Sequence, residues 1–493
     1  MTAIQYATSR LPAWITRATR LSALASSAFP LWSLAALLGA ALCLAGQTIL
    51  GDGDTYTHVA AGLWMLDHGA ALTTDPFSYT FAGAPWVAHE WLAELLMGTA
   101  YRTAGWPGVV TLFAVASGLT LANLARHLGR WLDPLPVFLM LVVVVPTLMP
   151  SLHARPHLLA LPIVELWTAR LLIARERHTV PWAILPLMAL WVNLHGGFMF
   201  GIALACPFAA EAVFAAGPAW FPAARRWTIF LAATTAFAML SPQGWHGFLF
   251  PFQLLQMKEL QHIQEWQPAD FSQFNPIELA LVTALYVCLT RGVRVPAMLV
   301  GLMLVMLHLA LAHMRHQMLA AIVCALALAG PIGATVGRSM PRPALYPRRT
   351  RALAFGAVVL VMAAVRLAVP LAPRDNATAP VSAIDHLPPG LAEKPVLNAY
   401  GFGGYMTLRG IKPFIDGRAE LFGDAFLARY RAITGQEDEA LLKALEEYRV
   451  EWAILEPGTD AIKFLDRLPG WTRIYADKTA IVFTRTAPDA GAP

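Results

Sequence analysis

The chain is poor in charge and nearly without cysteine. Asp, Glu, Lys and Arg make up 14% of its 493 residues, and 57% are hydrophobic. Soluble domains carry roughly a quarter charged residues. A soluble globular protein is therefore excluded, and the composition is that of a polytopic membrane protein. The four cysteines, Cys43, Cys206, Cys288 and Cys324, all lie in apolar runs. They predict no disulfide framework in the polar C-terminal part, and they neither require nor exclude an oxidising compartment. The sequence has no G-x-S-x-G, no H-E-x-x-H, no Walker A loop and no C-x-x-C. It also lacks a solenoid-period repeat and any low-complexity segment, which excludes repeat arrays.

The charge that is present is unevenly spread. Residues 1–370 hold 36 charged side chains and the last 123 residues hold 31. This predicts a membrane part, 31–370, preceded by a cytoplasmic segment, 1–30, and followed by a water-soluble domain, 371–493. The net charge is +5, but the excess arginine falls between apolar runs, so no nucleic-acid partner is implied. A charged region of about 30 residues is too long for a cleaved signal peptide, so the first apolar run is read as a retained helix.

Apolar runs predict about 11 spanning helices, at 31–50, 107–126, 134–150, 156–174, 181–197, 198–216, 227–242, 276–291, 295–312, 317–336 and 351–370. With the N-terminus inside, the inner loops hold 17 basic residues, from Arg10, Arg17 and Arg20 through Arg338, Arg342, Arg348, Arg349 and Arg351. The outer loops hold four: Arg102, Arg155, Lys258 and Arg315. This is a positive-inside pattern, and it places the C-terminal domain outside. The reading needs residues 51–106 to form one outer loop carrying two interfacial helices, 55–68 and 86–101. Both have a polar face unsuited to crossing; Glu90 and Glu94 share one at i, i+4. The tail predicts a small α/β domain, with strands at 395–399, 412–416, 451–455, 471–475 and 479–484 and helices at 424–434, 438–448 and 459–467.

The stretch G-D-G-D-T-Y-T-H, Gly51 to His58, opens that loop directly after the first apolar run. It puts Asp52 and Asp54 at the edge of hydrocarbon, where ionisable groups are expensive and mark function. The competing role is capping or solvating a helix end. Other expected outer turns bring polar groups to the same side: H-A-R-P-H (His153, Arg155, His157), N-L-H-G-G (Asn193, His195), S-P-Q-G-W-H (Gln243) and H-M-R-H (Arg315, His316). A lone histidine there is more often a hydrogen-bonded helix end, but the convergence of several loops favours a site. Arg155 and Arg315 suit a phosphate group or a salt bridge to the outer acids. In the tail, N-A-Y-G-F-G-G-Y (Asn398–Tyr405) reads as a structural turn or an anion site, and I-D-G-R offers an Asp416–Arg418 pair.

This pattern resembles the GT-C glycosyltransferases, which include the aminoarabinose transferase, protein O-mannosyltransferases and oligosaccharyltransferases. The resemblance rests on the N-in first helix, the acidic motif opening a long outer loop, about a dozen spans and an outer C-terminal domain. Locally it rests on Asp54-Thr-Tyr-Thr-His58, Gly62, Gly69, Asp75-Pro76 and Gly83-Ala-Pro-Trp86. The motifs H-A-R-P-H, W-V-N-L-H-G-G and G-G-Y…F-I-D-G-R also resemble a bacterial branch of that group. It implies transfer of a sugar from a polyprenyl-phosphate-linked donor to an envelope glycan, lipid or protein acceptor, on the outer side of the inner membrane. Asp54 matches the catalytic acid, and Asp52 is the candidate second acid because Thr55 stands where the family has Glu. Arg155, His153, His157, Arg315, His316, His58, Glu90 and His195 are the candidate substrate and lipid-phosphate residues. A divalent metal remains open. The alternatives are a lipid-linked polysaccharide ligase or polymerase, a transporter or flippase resting on Glu165 and Glu211, and a non-catalytic scaffold.

Overall fold

The computed structural model describes residues 30–45, 48–337 and 348–486. Arg10, Arg17, Arg20, Arg338 and Arg342 lie outside the described residues. In chain order the membrane part contains α1 (Leu31–Ala45), α2 (Gly53–His68), α3 (Trp91–Leu128), α4 (Pro134–Leu148), α5 (Pro156–Glu176), α6 (Leu185–Leu194), α7 (Phe198–Ala215) and α8 (Trp220–Phe237). It continues with α9 (Gly244–Leu254), α10 (Pro276–Arg291), α11 (Ala297–Ala312), α12 (Gln317–Val336) and α13 (Arg348–Ala368). A helix occupies each segment expected to span. Among the described residues six helices are long and apolar enough to cross a membrane: Trp91–Leu128, Pro134–Ser151, Pro156–Glu176, Phe198–Ala215, Met314–Val336 and Arg349–Ala368. Leu31–Leu44, Trp182–Leu194 and Ala297–Ala312 are apolar but shorter.

The segment expected as the first outer loop, 51–106, is helical where amphipathic patterning predicts it, with one shift. Asp52 caps α2, its Oδ1 accepting from the Asp54 amide at 2.9 Å, and Gly69 ends the helix in the left-handed region. The second helix starts at Trp91 rather than 86, because a bridge holds the chain at 85 and a turn follows at 89–90. Thr74 bridges Pro85, and the Trp86 amide donates to the Thr73 carbonyl at 2.9 Å. It then runs on into the next span, with a break at Ala104–Gly105, where Gly105 takes φ 60°. The break divides the helix close to the boundary expected between the interfacial segment, 86–101, and the span at 107–126. Helices α2 and α3 cross where Gly62 meets Gly98; a Cβ at Gly62 would lie 1.9 Å from the Glu94 carbonyl oxygen.

The tail holds α14 (Val381–Asp385), β1 (Val396–Asn398), α15 (Gly403–Leu408), α16 (Ala419–Thr434), α17 (Asp438–Glu447), β2 (Trp452–Leu455), α18 (Asp460–Leu465), β3 (Trp471–Ala476) and β4 (Ile481–Arg485). The strands form a sheet of order β1-β2-β4-β3, parallel between β1 and β2 and antiparallel elsewhere. The strand expected at 412–416 is absent. Pro413 removes a ladder donor there, and the Asn398 side chain takes the place of a ladder. Its Oδ1 accepts from Phe414 N at 2.7 Å and its Nδ2 donates to the Ile415 carbonyl at 2.8 Å.

Tail and membrane part share one apolar core. Tyr56 of α2 sits edge-on between Trp106 and Tyr405, with ring centroids 5.3 and 5.2 Å away. Tyr79 Oη donates to the Val396 carbonyl at 2.9 Å, and Thr80 Oγ1 to the Phe414 carbonyl at 2.7 Å. The expected outer turns are stitched together beneath the tail. Ala154 N donates to Ile49 O at 2.8 Å, Trp91 Nε1 to Asn193 Oδ1 at 2.6 Å, and Gln243 Nε2 to Ala88 O at 3.0 Å. The loops thus meet at one end of the bundle, here called the domain end.

Candidate active site

Asp54 stands in the first turn of α2, and α5 brings Arg155 to it. Arg155 precedes Pro156, the first residue of α5, and is extended (φ −121°, ψ 154°), as the residue before a proline tends to be. Its Nη2 lies 2.6 Å from Asp54 Oδ2. Its Nη1 lies 2.7 Å from Glu265 Oε2 and 3.4 Å from Asp52 Oδ2. Glu265 also reaches Arg315 Nη1, at 3.3 Å from its Oε1, and Arg315 stacks over the Trp266 ring at 4.2 Å. Two guanidiniums and three carboxylates, drawn from four distant segments, form one network. Asp52 is both things the sequence left open, a helix cap and a partner of Arg155.

A second cluster adjoins it. His58 is one turn on from Asp54, on the same face of α2. Its Nδ1 lies 3.1 Å from Glu94 Oε1 and its Nε2 3.6 Å from Glu90 Oε2. His89 and His195 point their Nε2 atoms at Glu90 Oε1, at 3.6 and 3.5 Å. His195 Nδ1 accepts from the Gly197 amide at 2.9 Å, which leaves the Nε2 proton facing Glu90. His157 joins from the side, its ring 6.2 Å from that of His195 and its Nε2 donating to the Ser151 carbonyl at 2.9 Å. His316 lies 5.2 Å from the Phe200 ring, with its Nδ1 buried and unpartnered. His153 lies at the exposed rim and donates to the Thr48 carbonyl at 3.2 Å.

These surroundings set the charge states. Burial pushes the Asp54 carboxyl up to about 7; Arg155 opposes this and Asp52 adds to it. Burial would lower His58, but the Glu94 hydrogen bond and the fields of Glu90, Glu94 and Asp54 outweigh it and raise His58 to about 9. Burial would raise Glu90, yet His89, His195 and His58 together hold it well below the usual carboxylate range. The site therefore contains an acid that titrates near neutrality beside a permanent guanidinium, with a protonated imidazole one turn away.

The tail closes the site. Gly417 of I-D-G-R rests on the Asp54 carboxylate; a Cβ there would fall 1.7 Å from Oδ1, so a side chain at 417 would displace that carboxylate. Gly404 meets Gly53 in the same way, with a Cβ 2.0 Å from the Gly53 carbonyl oxygen. The glycines of N-A-Y-G-F-G-G-Y thus serve close backbone approach. Arg418 pairs with Asp416 at 2.6 Å, as the motif suggests, and also with Asp75 of the first loop at 2.7 Å. All three are buried. An apolar crevice lined by Leu42, Leu121, Leu148, Leu152, Leu158 and Met318 borders this end, and Leu152 and Leu158 flank Arg155 in the chain.

Among the described residues no group of three or more His, Cys, Asp or Glu is arranged to hold a metal ion. The carboxylates of Asp52, Asp54 and Glu265 turn to Arg155 instead. Glu165 and Glu211, the acids a transporter reading needs, are paired with His127 at 2.8 Å and Arg175 at 2.5 Å. Sequence reasoning left Glu265, Glu94, His89 and Gly417 out of the site. Of these, Glu94 carried a signal in its i, i+4 relation to Glu90.

No protein-family model matches the chain, and no curated protein matches it. Among solved structures it is similar to the apo oligosaccharyltransferase of Archaeoglobus fulgidus, at 11% identity and TM-score 0.48, over 90% of this chain and 70% of that one. It is also similar to ArnT from Cupriavidus metallidurans bound to undecaprenyl phosphate, at 12% identity and TM-score 0.49, over 97% of this chain and 99% of that one.

Proposed function

We propose that this chain is a membrane glycosyltransferase of the GT-C type. It moves a sugar from a polyprenyl-phosphate donor to an envelope acceptor on the outer face of the inner membrane. The observation that carries the reading is the contact of Asp54 with Arg155, backed by Arg315 through Glu265. It joins a titratable base to paired guanidiniums at the expected membrane edge. The positive-inside pattern supports the orientation.

In this reaction the acceptor oxygen forms a bond to the anomeric carbon while the bond from that carbon to the phosphate oxygen breaks. The electron pair leaves on the phosphate, and the acceptor proton passes to Asp54. Attack opposite the leaving group inverts the anomeric centre. A base titrating near 7 suits an acceptor hydroxyl at neutral pH. Arg155 and Arg315 meet the charge that develops on the phosphate. When Arg155 turns to the phosphate, Asp54 loses its counter-charge and becomes a stronger base. The protonated His58 adds positive field from the next turn of α2. Tyr400, whose Oη lies 3.3 Å from the Gly417 carbonyl, helps hold the wall against Asp54.

The test is release of polyprenyl phosphate from lipid-linked sugars by the purified full-length protein. Asp54→Asn is expected to lower it by about 10²–10⁴-fold, the range of a general base, while the melting temperature stays near that of the wild type. Near-normal turnover in the folded variant ends the proposal and favours a ligase that relies on arginine and histidine alone.

A further inference from the structure

Glu265 takes no part in the chemistry above, yet it occupies the middle of the site. Its Oε2 lies 2.7 Å from Arg155 Nη1 and its Oε1 3.3 Å from Arg315 Nη1. A carboxylate spanning two guanidiniums offers them the same anionic oxygens that a phosphate would. Burial would raise the Glu265 carboxyl, but Arg155 and Arg315 hold it well below its ordinary range, so it is ionised at neutral pH.

Its setting allows movement. Glu265 stands in the connection between α9 and α10, which holds two short 3₁₀ turns, Glu259–His262 and Gln264–Trp266. Its side chain is 31% exposed. The anchors of this connection lie to either side of it. Asp424 accepts from the Lys258 and Glu259 amides, each at 3.0 Å, and the Trp266 carbonyl accepts from His313 Nδ1 at 2.7 Å. The carboxylate can swing out without unpacking a helix.

Charge decides which group must leave. Arg155 already faces Asp52, Asp54 and Glu265. A phosphate laid across both arginines with Glu265 in place would meet like charge at van der Waals distance, which is strongly unfavourable. Asp52 is tied up as the α2 cap, and the Asp54 carboxylate lies against Gly417 and touches Arg155 but not Arg315. Glu265 is the anion that both arginines share.

Resting on the reading of Arg155 and Arg315 as a phosphate site, we infer that Glu265 is a built-in stand-in for the donor's phosphate group, displaced when the donor binds. Binding is then an exchange of one anion for another. The apparent affinity is reduced by the fraction of molecules in which Glu265 holds the arginines. The exchange also keeps the two guanidiniums paired, and the helix ends in register, when no donor is present.

Binding of undecaprenyl phosphate and of inorganic phosphate to the full-length protein in detergent tests this, with melting curves as the folding check. Glu265→Gln should tighten phosphate binding by about tenfold or more. Glu265→Asp, too short to reach both arginines, should give part of that gain. Asp52→Asn removes an anion that touches only Arg155 and should gain less than Glu265→Gln. Equal affinity in wild type and Glu265→Gln overturns the exchange and leaves the phosphate site standing, as does an equal gain in Asp52→Asn. No binding to any folded form overturns the phosphate site and the exchange with it. Tightening for inorganic phosphate alone supports the exchange and argues against a lipid donor.

Discussion

The two ends of the helix bundle handle charge differently. At the far end, Arg175 gives both its bonds to Glu211, at 2.5 and 2.7 Å, and His127 meets Glu165 at 2.8 Å. The first is an ion pair whose charges cancel locally, and the second is a single closed hydrogen-bonded contact. At the domain end the partners are shared. Arg155 serves three carboxylates, Glu90 draws three histidines and Arg418 holds two aspartates. A closed pair fastens two helices and asks for nothing more. A shared network changes its balance when an ion enters or leaves, which suits a site where phosphate arrives and a proton is taken up.

The largest expected effect that would break this comparison concerns Arg418. Arg418→Met leaves Asp75 and Asp416 buried without a counter-charge between the first loop and the tail. The expected loss is about 3–5 kcal/mol, read as a large drop in melting temperature or as failure to recover folded protein. Arg175→Met breaks a far-end pair whose side chains are each 27% exposed, and it should cost about 1 kcal/mol or less. Equal losses at the two positions would erase the distinction.

A smaller effect sharpens it through pH. Asp54 is raised to about 7, so it is protonated below that pH and ionised above it. Transfer that needs the ionised base should therefore rise as pH increases through neutrality. Labelling of Asp54 by dicyclohexylcarbodiimide, which attacks the protonated acid, should fall over the same interval. Arg155→Gln removes a group that lowers Asp54 and should move both curves to higher pH. Labelling with a midpoint in the ordinary carboxylate range would mean that the network does not hold Asp54 as described.

The sequence made the layout of this molecule legible wherever a single segment carries the signal. Apolar length located the helices from Leu31 to Ala368, and amphipathic spacing located α2 and the start of α3 within a few residues. The strand at 412–416 failed because the side chain of Asn398, from the end of β1, supplies the bonds that a ladder would have made. The site was legible in the same partial way. Asp52, Asp54, His58, Glu90, Arg155, His157, His195 and Arg315 announced themselves as polar groups at apolar edges, and they do come together. Glu265 and Gly417 did not, because one lies in an irregular connection and the other matters only through what it touches. Contacts between segments a hundred or more residues apart leave no period and no spacing in a single sequence.

The most direct measurement is a structure of the full-length protein with undecaprenyl phosphate bound. The account predicts the phosphate across Arg155 and Arg315, the Glu265 carboxylate turned away, and Asp54 facing the side of the phosphate where the sugar would stand. A phosphate bound elsewhere, with the Arg155 network intact and Asp54 remote from it, would contradict the account.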